Sequence, residues 1–535
     1  MIPLEDSLRH RRHEARFVKL ASPKETMSVT VSVRRREKGP KLPEYDHWDK
    51  AQRKILNRAD FGSEYGASQD DLGNVSDYFR SSGMNILETS AAKRIVKVSG
   101  TVKQMNNAFD VKLGYYRSPR GLYRGREGKL SVPKHLASII KGVFGTDNRR
   151  MARHRNNGPP GVSALTPLQV AKLYNFPDGS DSVTNQSIGI LEFGGGFNLP
   201  DIQAFLTELN LPSGTSITAV GMDGVSNNFS SDPNTEAGGD SEEVMLDIEV
   251  AAAIAPGAKI VVYFAPFTEQ GWVDAVSTAI HDTANSPSVL SISWGWPELE
   301  SIHQGEANLN WSKAAMNTLS SHFQDAANLG TDAVTVLVAS GDNGSADEIS
   351  DGKAHVDYPA SDPWVTACGG TRLSASKEDT WNDNSYDPGW ATGGGISAVF
   401  PLPSWQENKG VPPSVNNGKI GRGIPDIAGN ASSFSGYYLI INGAQSGPVG
   451  GTSAVAPLYA GLVALLNANL GKHVGYLNPI LYKLGGTNVF KDINEGISNA
   501  VNGAPGYKSG AGWDACTGWG SVDGSNLLKN LQQSS

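Results

Sequence analysis

The sequence predicts an α/β fold, a parallel sheet flanked by helices, preceded by a smaller α+β domain. From residue 187 onward, helical patterns alternate with short apolar strands such as Ser187–Glu192, Lys259–Phe264 and Thr335–Ala339. Near-continuous apolar strands are typical of a parallel sheet that helices cover on both faces. Before residue 148, shorter strand and helix patterns predict a compact α+β unit.

The elements of the N-terminal unit are predicted from hydrophobic periodicity. The predicted strands are Met27–Val33, Arg94–Val98 and Leu113–Arg117, the helices begin at Asp70, Thr101 and Leu136 (this last one ending at Phe144), and a turn is expected at Tyr123–Gly128. The polar, breaker-rich stretch Asn148–Ala164 predicts either a proteolysis-prone linker or a merely exposed loop. The predicted domains are therefore residues 1–160, including the linker, and 161–535.

In the second domain, four helices are predicted that alternate with the strands of the sheet. They are expected near Leu199–Leu209 and over residues 241–254, 272–284 and 312–329, with a further strand at Ser288–Ser293. A long apolar helix is expected from Leu458, directly after the sequence Gly450-Gly451-Thr452-Ser453.

Composition indicates a folded chain without membrane spans. With 39% hydrophobic and 19% charged residues, the 535-residue chain has ample material for a large core. No apolar run is expected to reach the roughly 18 residues that a bilayer requires. Residues 1–16 carry no recognisable secretory signal. Cys368 and Cys516 are too few for a disulfide framework and are expected to be buried thiols or one optional bridge.

Charge is distributed unevenly along the chain. Residues 1–155 hold 32 of the 46 Lys and Arg and 17 of the 54 Asp and Glu, which gives +15 there and −23 for the remainder. This asymmetry suggests either a nucleic-acid-binding arm or a basic domain that docks on its own acidic partner. Because the basic residues are scattered among predicted strands and helices, we favour docking.

Ser453 is the first candidate catalytic residue. It lies in a glycine-rich turn that opens a helix, where its hydroxyl is exposed and helix N–H groups favour developing negative charge. The alternative is a serine that only caps the helix.

Glu243 and Asp247 are the second candidates. They are four residues apart and share one helix face with Val250, Ala251 and Ile254. Two carboxylates on a core-facing stripe are costly unless paired or functional. A capping box with Asp240 as N-cap would explain Glu243 but not Asp247. Glu242 and Glu249 are expected on a solvated face.

Two further motifs follow predicted strands. Asp342, in Ser340-Gly341-Asp342, follows a predicted buried strand. Ligands gather at this end of the strands in α/β folds, so Asp342 is a candidate site residue. The alternative is an ordinary turn aspartate. Trp294 follows another strand and is either the wall of a pocket or, as chemistry alone favours, a core aromatic.

The C-terminal loops contain a candidate metal site. Asp492 and Asp514 lie in glycine-rich stretches where carboxylates and backbone carbonyls can form an oxygen cage for Ca²⁺. The alternative is a pair of turn aspartates.

A catalytic histidine is not indicated by the sequence. A Ser-His-Asp triad requires a histidine, but none of the histidines after residue 160 lies in the Gly-His-Gly-Thr-His context of subtilisins. These histidines are His281, His303, His322, His355 and His473.

Taken together, these motifs resemble the sedolisin (serine-carboxyl) peptidases, and most closely the kumamolisins in zymogen form. The resemblance extends from about Asp70 to Leu528 and includes the order Glu243-x-x-x-Asp247, Ser-Gly-Asp342 and Gly-Thr-Ser453. It implies a subtilisin-like sheet and an inhibitory prodomain that assists folding. The linker is shorter than in kumamolisins, which leaves the position of self-cleavage open.

The resemblance also implies roles for individual residues. Ser453 would be the nucleophile, Glu243 its general base, Asp247 the group that orients Glu243, and Asp342 an oxyanion donor. Glu192 and Trp294 match supporting residues around the carboxylate pair. The single calcium ion would be held by Asp492, Asp514 and the carbonyls of Ile493, Gly510 and Gly512.

The resulting hypothesis is the zymogen of a secreted, acid-acting endopeptidase. It would be monomeric, act on polypeptides and bind its own prodomain, with no nucleic-acid or membrane partner. A non-catalytic, calcium-stabilised binding protein would require the loss of Glu243, Asp247, Asp342 or Ser453, and all four are present. A His-based subtilisin is disfavoured by the missing histidine motif.

Overall fold

The computed structural model describes residues 1–12, 15–50, 55–119, 121–150, 164–179, 181–212, 214–303, 306–374, 377–386 and 388–533. Most of the predicted linker, residues 151–163, lies outside this part of the chain. The domain boundary at residue 160 and any cleavage position there stay predictions.

The described N-terminal residues form an α+β unit with its own core. Its main sheet is antiparallel, with the strands in the order Asn85–Ser90, Ile95–Thr101, Thr26–Val33 and Ile140–Phe144. Three helices, Arg58–Tyr65, Gln69–Ser81 and Val102–Phe109, accompany smaller sheets of Arg16–Leu20, Gly114–Ser118 and Gly121–Gly125, and of Ile2–Pro3 and Ser131–Val132. The core packs the apolar face of helix Gln69–Ser81 against the main sheet.

Two predictions in this unit were wrong. Residues Ile140–Phe144 form an edge strand paired with Thr26–Val33, although the apolar residues from Leu136 onward have helical spacing. Gly142 is a poor helix former, and pairing with an existing sheet overrides local propensity. The first half of the expected turn at Tyr123–Gly128 belongs to the strand Gly121–Gly125, which pairs with Gly114–Ser118.

The predicted parallel sheet is confirmed in the C-terminal part. Its strands run in the order Ile217–Gly221, Lys259–Phe264, Ser187–Glu192, Val289–Ile292, Thr335–Ala339 and Thr366–Leu373, with Ile427–Asn430 parallel and Glu378–Thr380 antiparallel to Thr366–Leu373. Alternate side chains enter two separate cores, so that Ile190 and Val262 face one core while Leu191 and Val261 face the other.

Four helices cover the sheet, two on each face. Glu236–Ile254 and Val455–Leu470 pack together in one core, and Glu269–His281 and Lys313–Asn328 pack together in the other. The other α-helices of this described part are Pro167–Leu173, Leu199–Glu208, Asn478–Leu484 and Gly524–Gln533. Paired short strands complete it: Trp296–Pro297 with Asp357–Tyr358, Leu299–His303 with Glu306–Leu309, Gly395–Ile396 with Gly423–Ile424, Tyr437–Ile441 with Ala444–Val449, and Phe490–Lys491 with Ser521–Val522.

Helix Glu236–Ile254 begins five residues before its predicted start. Thr235 is the N-cap and accepts a hydrogen bond from Gly238 N at 3.1 Å. Asp240 is therefore inside the helix, and the capping-box explanation of Glu243 is wrong. The expectation that Glu249 is solvated is also wrong, because Glu249 is fully buried and accepts a hydrogen bond from Ile440 N at 3.0 Å.

Two expectations about the buried core can be compared with the structure. Cys368 and Cys516 are buried free thiols rather than a bridge. Among the described residues, the segment Thr452–Leu470 is long and apolar enough to cross a membrane, contrary to the expectation that no segment would be. Most of it is buried, and a core helix passes the same test, so this is weak evidence for a membrane span.

The basic N-terminal unit docks on helices Glu269–His281 and Lys313–Asn328. Arg9 lies 3.0 Å from Glu269, Lys97 lies 2.8 Å from Asp274, and Arg35 lies 2.6 Å from Asp325, each distance joining a side-chain nitrogen and a carboxylate oxygen. The favoured interpretation of the charge asymmetry, docking on an acidic partner, agrees with these pairs.

Candidate active site

Ser453 lies in a 3₁₀ turn, Thr452–Ala454, that leads directly into helix Val455–Leu470. Two glycines precede the turn for steric reasons. Gly451 has φ of +108°, and a Cβ on Gly450 would lie 2.3 Å from Ala431 O. The Ser453 hydroxyl points toward Ser293 O at 3.5 Å, and the residue is 2% exposed, so the expectation of an exposed hydroxyl is wrong.

Glu243 and Asp247 reach this turn from helix Glu236–Ile254, which contacts it directly. Asp247 is fully buried, and its carboxylate oxygens lie 2.7 and 2.8 Å from Ser293 Oγ. Ser293 Oγ also lies 3.1 Å from Ser453 O. Ser293 therefore connects the carboxylate helix to the Ser453 turn. Sequence reasoning named its neighbour Trp294 but missed this role.

Glu192 and Trp294 form the supporting pair beside these carboxylates. Trp294 Nε1 donates to Glu192 Oε2 at 2.8 Å, and both side chains are buried. The Trp294 ring makes an edge contact with Phe267 at a centroid distance of 5.2 Å. Trp294 is thus a core aromatic, the alternative that the sequence favoured over a pocket wall.

The three carboxyl groups of Glu192, Glu243 and Asp247 interact strongly. Burial raises the pKa of each well above the usual carboxyl range. The charge of Asp247 further raises the pKa values of Glu243 and Glu192, while a hydrogen bond with Ser453 lowers that of Glu243. Groups coupled in this way share protons, so an ionised base can coexist with protonated neighbours.

Asp342 approaches the same turn from the end of strand Thr335–Ala339. Its Oδ1 accepts hydrogen bonds from Thr452 N and Thr452 Oγ1, both at 2.7 Å. Thr452 Oγ1 also accepts from Gly341 N at 3.2 Å. Asp342 therefore holds the Ser453 turn through the backbone and side chain of Thr452. The role of Thr452 was missed, although it lies next to Ser453.

The described histidines of the second domain are engaged elsewhere. His355 Nε2 lies 2.9 Å from Asp351, and His473 Nδ1 lies 3.0 Å from Ala333 O. His281 and His322 both approach Asp325 on the docking face. The side chain of His303 lies outside the described residues. The titratable side chain that hydrogen-bonds with Ser453 is instead the carboxyl of Glu243.

The two C-terminal loops of the predicted calcium site come together. Gly512 N donates to Asp492 Oδ2 at 2.9 Å and thus joins them. Asp514 accepts hydrogen bonds from Gly510 N at 3.1 Å and from Cys516 N at 2.9 Å. Burial raises the pKa of Asp514 to about 6, although these backbone donors lower it. Ile493, the remaining predicted ligand, is buried beside Asp492.

A subtilisin-like sheet with a serine and two carboxyls at one edge defines a serine-carboxyl peptidase. Residues 13–149 match the Pro-kumamolisin activation domain family, and residues 231–478 match the Subtilase family. The chain is 44% identical to kumamolisin from Bacillus sp. strain MN-32, over 94% of this chain and 91% of that protein. It therefore belongs to the sedolisin family of serine-type peptidases, in its kumamolisin branch.

Two further relatives agree with this assignment. The chain is 30% identical to tripeptidyl-peptidase sed5 of Aspergillus fumigatus, over 100% of this chain and 98% of that protein. Among solved structures, Pseudomonas sedolisin, a serine-carboxyl proteinase complexed with pseudo-iodotyrostatin, matches with a TM-score of 0.57 and 28% identity. That match covers 70% of this chain and 99% of the sedolisin chain.

Proposed function

We propose that this chain is the zymogen of an acid-acting endopeptidase that forms an acyl-enzyme on Ser453 and activates itself by removing its N-terminal domain. The observation that carries this proposal is the convergence of Ser453, Glu243 and Asp247, with Asp342 on the other side of the Ser453 turn. The predicted secretion and monomeric state remain part of the proposal.

In the proposed mechanism, Ser453 Oγ attacks the peptide carbonyl carbon while Glu243 accepts the hydroxyl proton. Asp247, held by Ser293, orients Glu243 and shares its proton. Protonated Asp342 donates from Oδ2 to the developing oxyanion. Glu243 then returns the proton to the leaving amine, and water hydrolyses the acyl-enzyme by the same steps.

Acid activity follows from the choice of base. A histidine is largely protonated below its usual pKa of about 6.5 and then cannot accept the serine proton. In a cluster of coupled carboxyls, one group can be ionised while its neighbours hold the protons, so the cluster can provide a base in mild acid. An N-terminally blocked internally quenched peptide tests for endopeptidase activity, because a tripeptidyl-peptidase needs a free amino terminus.

Self-cleavage is the most direct test of the zymogen hypothesis. Purified full-length protein incubated between about pH 3 and pH 7 is expected to lose its N-terminal domain toward the acid end, as measured by intact-mass spectrometry. Ser453→Ala should remain full length at every pH. A Ser453→Ala protein that processes itself at the parental rate would show that the nucleophile is misassigned.

The docking ion pairs supply a matched pair of variants for the same experiment. Glu269→Gln removes the carboxylate that pairs with Arg9 and so weakens docking, which should make processing begin at higher pH. Asp274 differs, because burial and the charge of Asp223 raise its pKa to about 7 despite Lys97. Because docking raises the pKa of Asp274, proton uptake by Asp274 favours docking as pH falls, and this contribution is lost as pH rises through about 7. Asp274→Asn should therefore leave the acid midpoint nearly unchanged.

We also propose that Asp492 and Asp514, with the carbonyls of Ile493, Gly510 and Gly512, hold one structural calcium ion. The residues fit, since both carboxylates are in loops that hydrogen bonds join, and oxygen donors suit this hard cation. The ion would neutralise the buried Asp514 carboxylate and hold the two loops together.

Calcium chelation is expected to lower the melting temperature of the wild type. At free calcium about 100 times the Kd, the ion contributes about 2.7 kcal/mol of stability, which a chelator removes. Differential scanning calorimetry should show no chelator effect on Asp492→Ala, whereas Glu495→Gln, an exposed change in the same loop, should respond like the wild type. Equal chelator shifts in Asp492→Ala and wild type would reject the site.

A further inference from the structure

Three potential metal ligands converge on the docking face, away from the Ser453 site. His281 is the last residue of helix Glu269–His281, and His322 and Asp325 lie on helix Lys313–Asn328. Asp325 Oδ2 lies 3.2 Å from His281 Nε2 and 3.5 Å from His322 Nδ1. The three ligand atoms lie within 4.8 Å of one another, and all three residues are buried.

The N-terminal domain places a cation in this cluster. The guanidinium of Arg94 pairs with Asp325 Oδ2, and its Nη2 lies 3.3 Å from His322 Nδ1. Arg35, also from the N-terminal domain, lies 2.6 Å from the other oxygen, Asp325 Oδ1. Asp325 therefore receives both of these positive charges from the domain whose removal we propose.

The ring nitrogens of the cluster are placed for metal binding. Nδ1 of His322 lies 3.3 Å from an Arg94 nitrogen, which can only donate, so this ring nitrogen is the acceptor when that hydrogen bond forms. Nδ1 of His281 is buried with no hydrogen-bond partner among the described residues, so it can carry the ring proton and leave Nε2 free to bind a cation.

The two distances from the Asp325 carboxylate to the histidine nitrogens are close to those of a zinc site. Bonds of about 2.0–2.2 Å at tetrahedral angles put neighbouring ligand atoms about 3.4 Å apart, compared with the 3.2 and 3.5 Å found here. Two imidazoles and one carboxylate, with water as the fourth ligand, suit Zn²⁺ and similar transition metals rather than Ca²⁺.

We propose that His281, His322 and Asp325 form a binding site for a zinc-type divalent metal, which the Arg94 guanidinium fills while the N-terminal domain is docked. Metal and Arg94 would then exclude each other. When the domain leaves, the buried Asp325 carboxylate loses both arginines, and a metal ion would replace their charge. Metal binding would thus oppose re-docking of the N-terminal domain. That consequence depends on the proposed activation, but the existence of the site does not.

The site can be tested in the full-length chain without any cleavage. In a Ser453→Ala background, which keeps the chain intact, Arg94→Ala should bind about one Co²⁺ per chain, with the visible absorption of tetrahedral cobalt, and Zn²⁺ should displace it. The Ser453→Ala parent, where Arg94 is present, should bind at least about ten times more weakly, which corresponds to 1.4 kcal/mol.

Two matched variants distinguish this site from adventitious binding. Arg58→Ala also removes a buried N-terminal arginine, one that donates to Pro287 O at 2.8 Å, but it leaves Arg94 in place and should bind no additional cobalt. Adding His322→Ala to Arg94→Ala should abolish the cobalt spectrum. If circular dichroism shows that Arg94→Ala does not fold, Arg94→Met can be used instead, because it removes the same charge and keeps a long, unbranched side chain.

Two results would overturn the proposal. One is a folded Arg94 variant that takes up no more cobalt than its parent, and the other is cobalt uptake that persists when His322 is also replaced. Since neither readout involves peptide hydrolysis, failure of the metal site and failure of the proposed peptidase mechanism are distinguishable.

Discussion

Glu243→Gln is expected to lower kcat by roughly 10⁴- to 10⁶-fold, the range found when the base or its orienting carboxylate is removed from a serine peptidase. The amide can no longer accept the Ser453 proton, but it has the same shape and leaves the burial of helix Glu236–Ile254 unchanged. The measurement is single-turnover cleavage of a quenched peptide in protein whose N-terminal domain has been removed by a separate protease. Retention of a tenth of the wild-type rate would exclude Glu243 as the base.

Asp247→Asn tests the coupling between the two carboxyls. The negative charge of Asp247 raises the pKa of Glu243, so its removal should lower that pKa. The acid limb of the kcat/KM profile reports protonation of the base and should move to lower pH, even as the peak rate falls roughly 10⁴-fold. An acid limb that does not move would show that another group is titrating.

Glu249→Gln is the matched control on the same helix. Glu249 is also buried and also has a pKa that burial raises, but its partner is Ile440 N, with which it forms a 3.0 Å hydrogen bond. Glutamine keeps an acceptor for that bond. This variant should therefore retain the wild-type pH profile. Such a result would distinguish a catalytic carboxyl from one that only binds the hairpin of Tyr437–Ile441 and Ala444–Val449 to the helix.

Local pattern predicted the four strands Ser187–Glu192, Lys259–Phe264, Val289–Ile292 and Thr335–Ala339 because they are buried and read as apolar runs. The flanking strands were not predicted, since Ile217–Gly221 is partly exposed and Thr366–Leu373 contains two glycines and an arginine. The start of helix Glu236–Ile254 was harder to predict, since Gly238 and Gly239 look like helix breakers. In the structure, a Cβ on Gly238 would lie 1.8 Å from Asp232 O, so glycine serves a close approach inside the helix. Such an approach depends on tertiary packing that the sequence does not express locally.

The same limit applied to the candidate site. Ser453, Glu243 and Asp342 were found because each lies in a short motif with its own chemistry. Ser293 and Thr452 were missed because a single hydroxyl has no distinctive spacing, and their roles appear only when distant segments meet. Glu249 was misassigned to solvent for a related reason, since Ile440, which covers it, is 191 positions away.

Asp342→Ala is expected to lower kcat by roughly 10²- to 10³-fold, the usual loss for one oxyanion donor. Alanine removes the Oδ2 proton and also leaves Thr452 N and Thr452 Oγ1 without the acceptor that each contacts at 2.7 Å. Asp342→Asn should retain much more activity, because its amide oxygen can accept from Thr452 while its N–H₂ group donates to the oxyanion.

Comparing the two variants tests the donor role of Asp342. If Asp342 donates to the oxyanion, Asp342→Asn, which keeps both an acceptor for Thr452 and a donor, should lose far less kcat than Asp342→Ala. Asn343→Ala, which removes an amide 3.4 Å from Gly389 O in the same loop, controls for disturbance of the loop and should retain the wild-type kcat. Equal losses of kcat in Asp342→Asn and Asp342→Ala would show that a donor at this position does not serve the oxyanion.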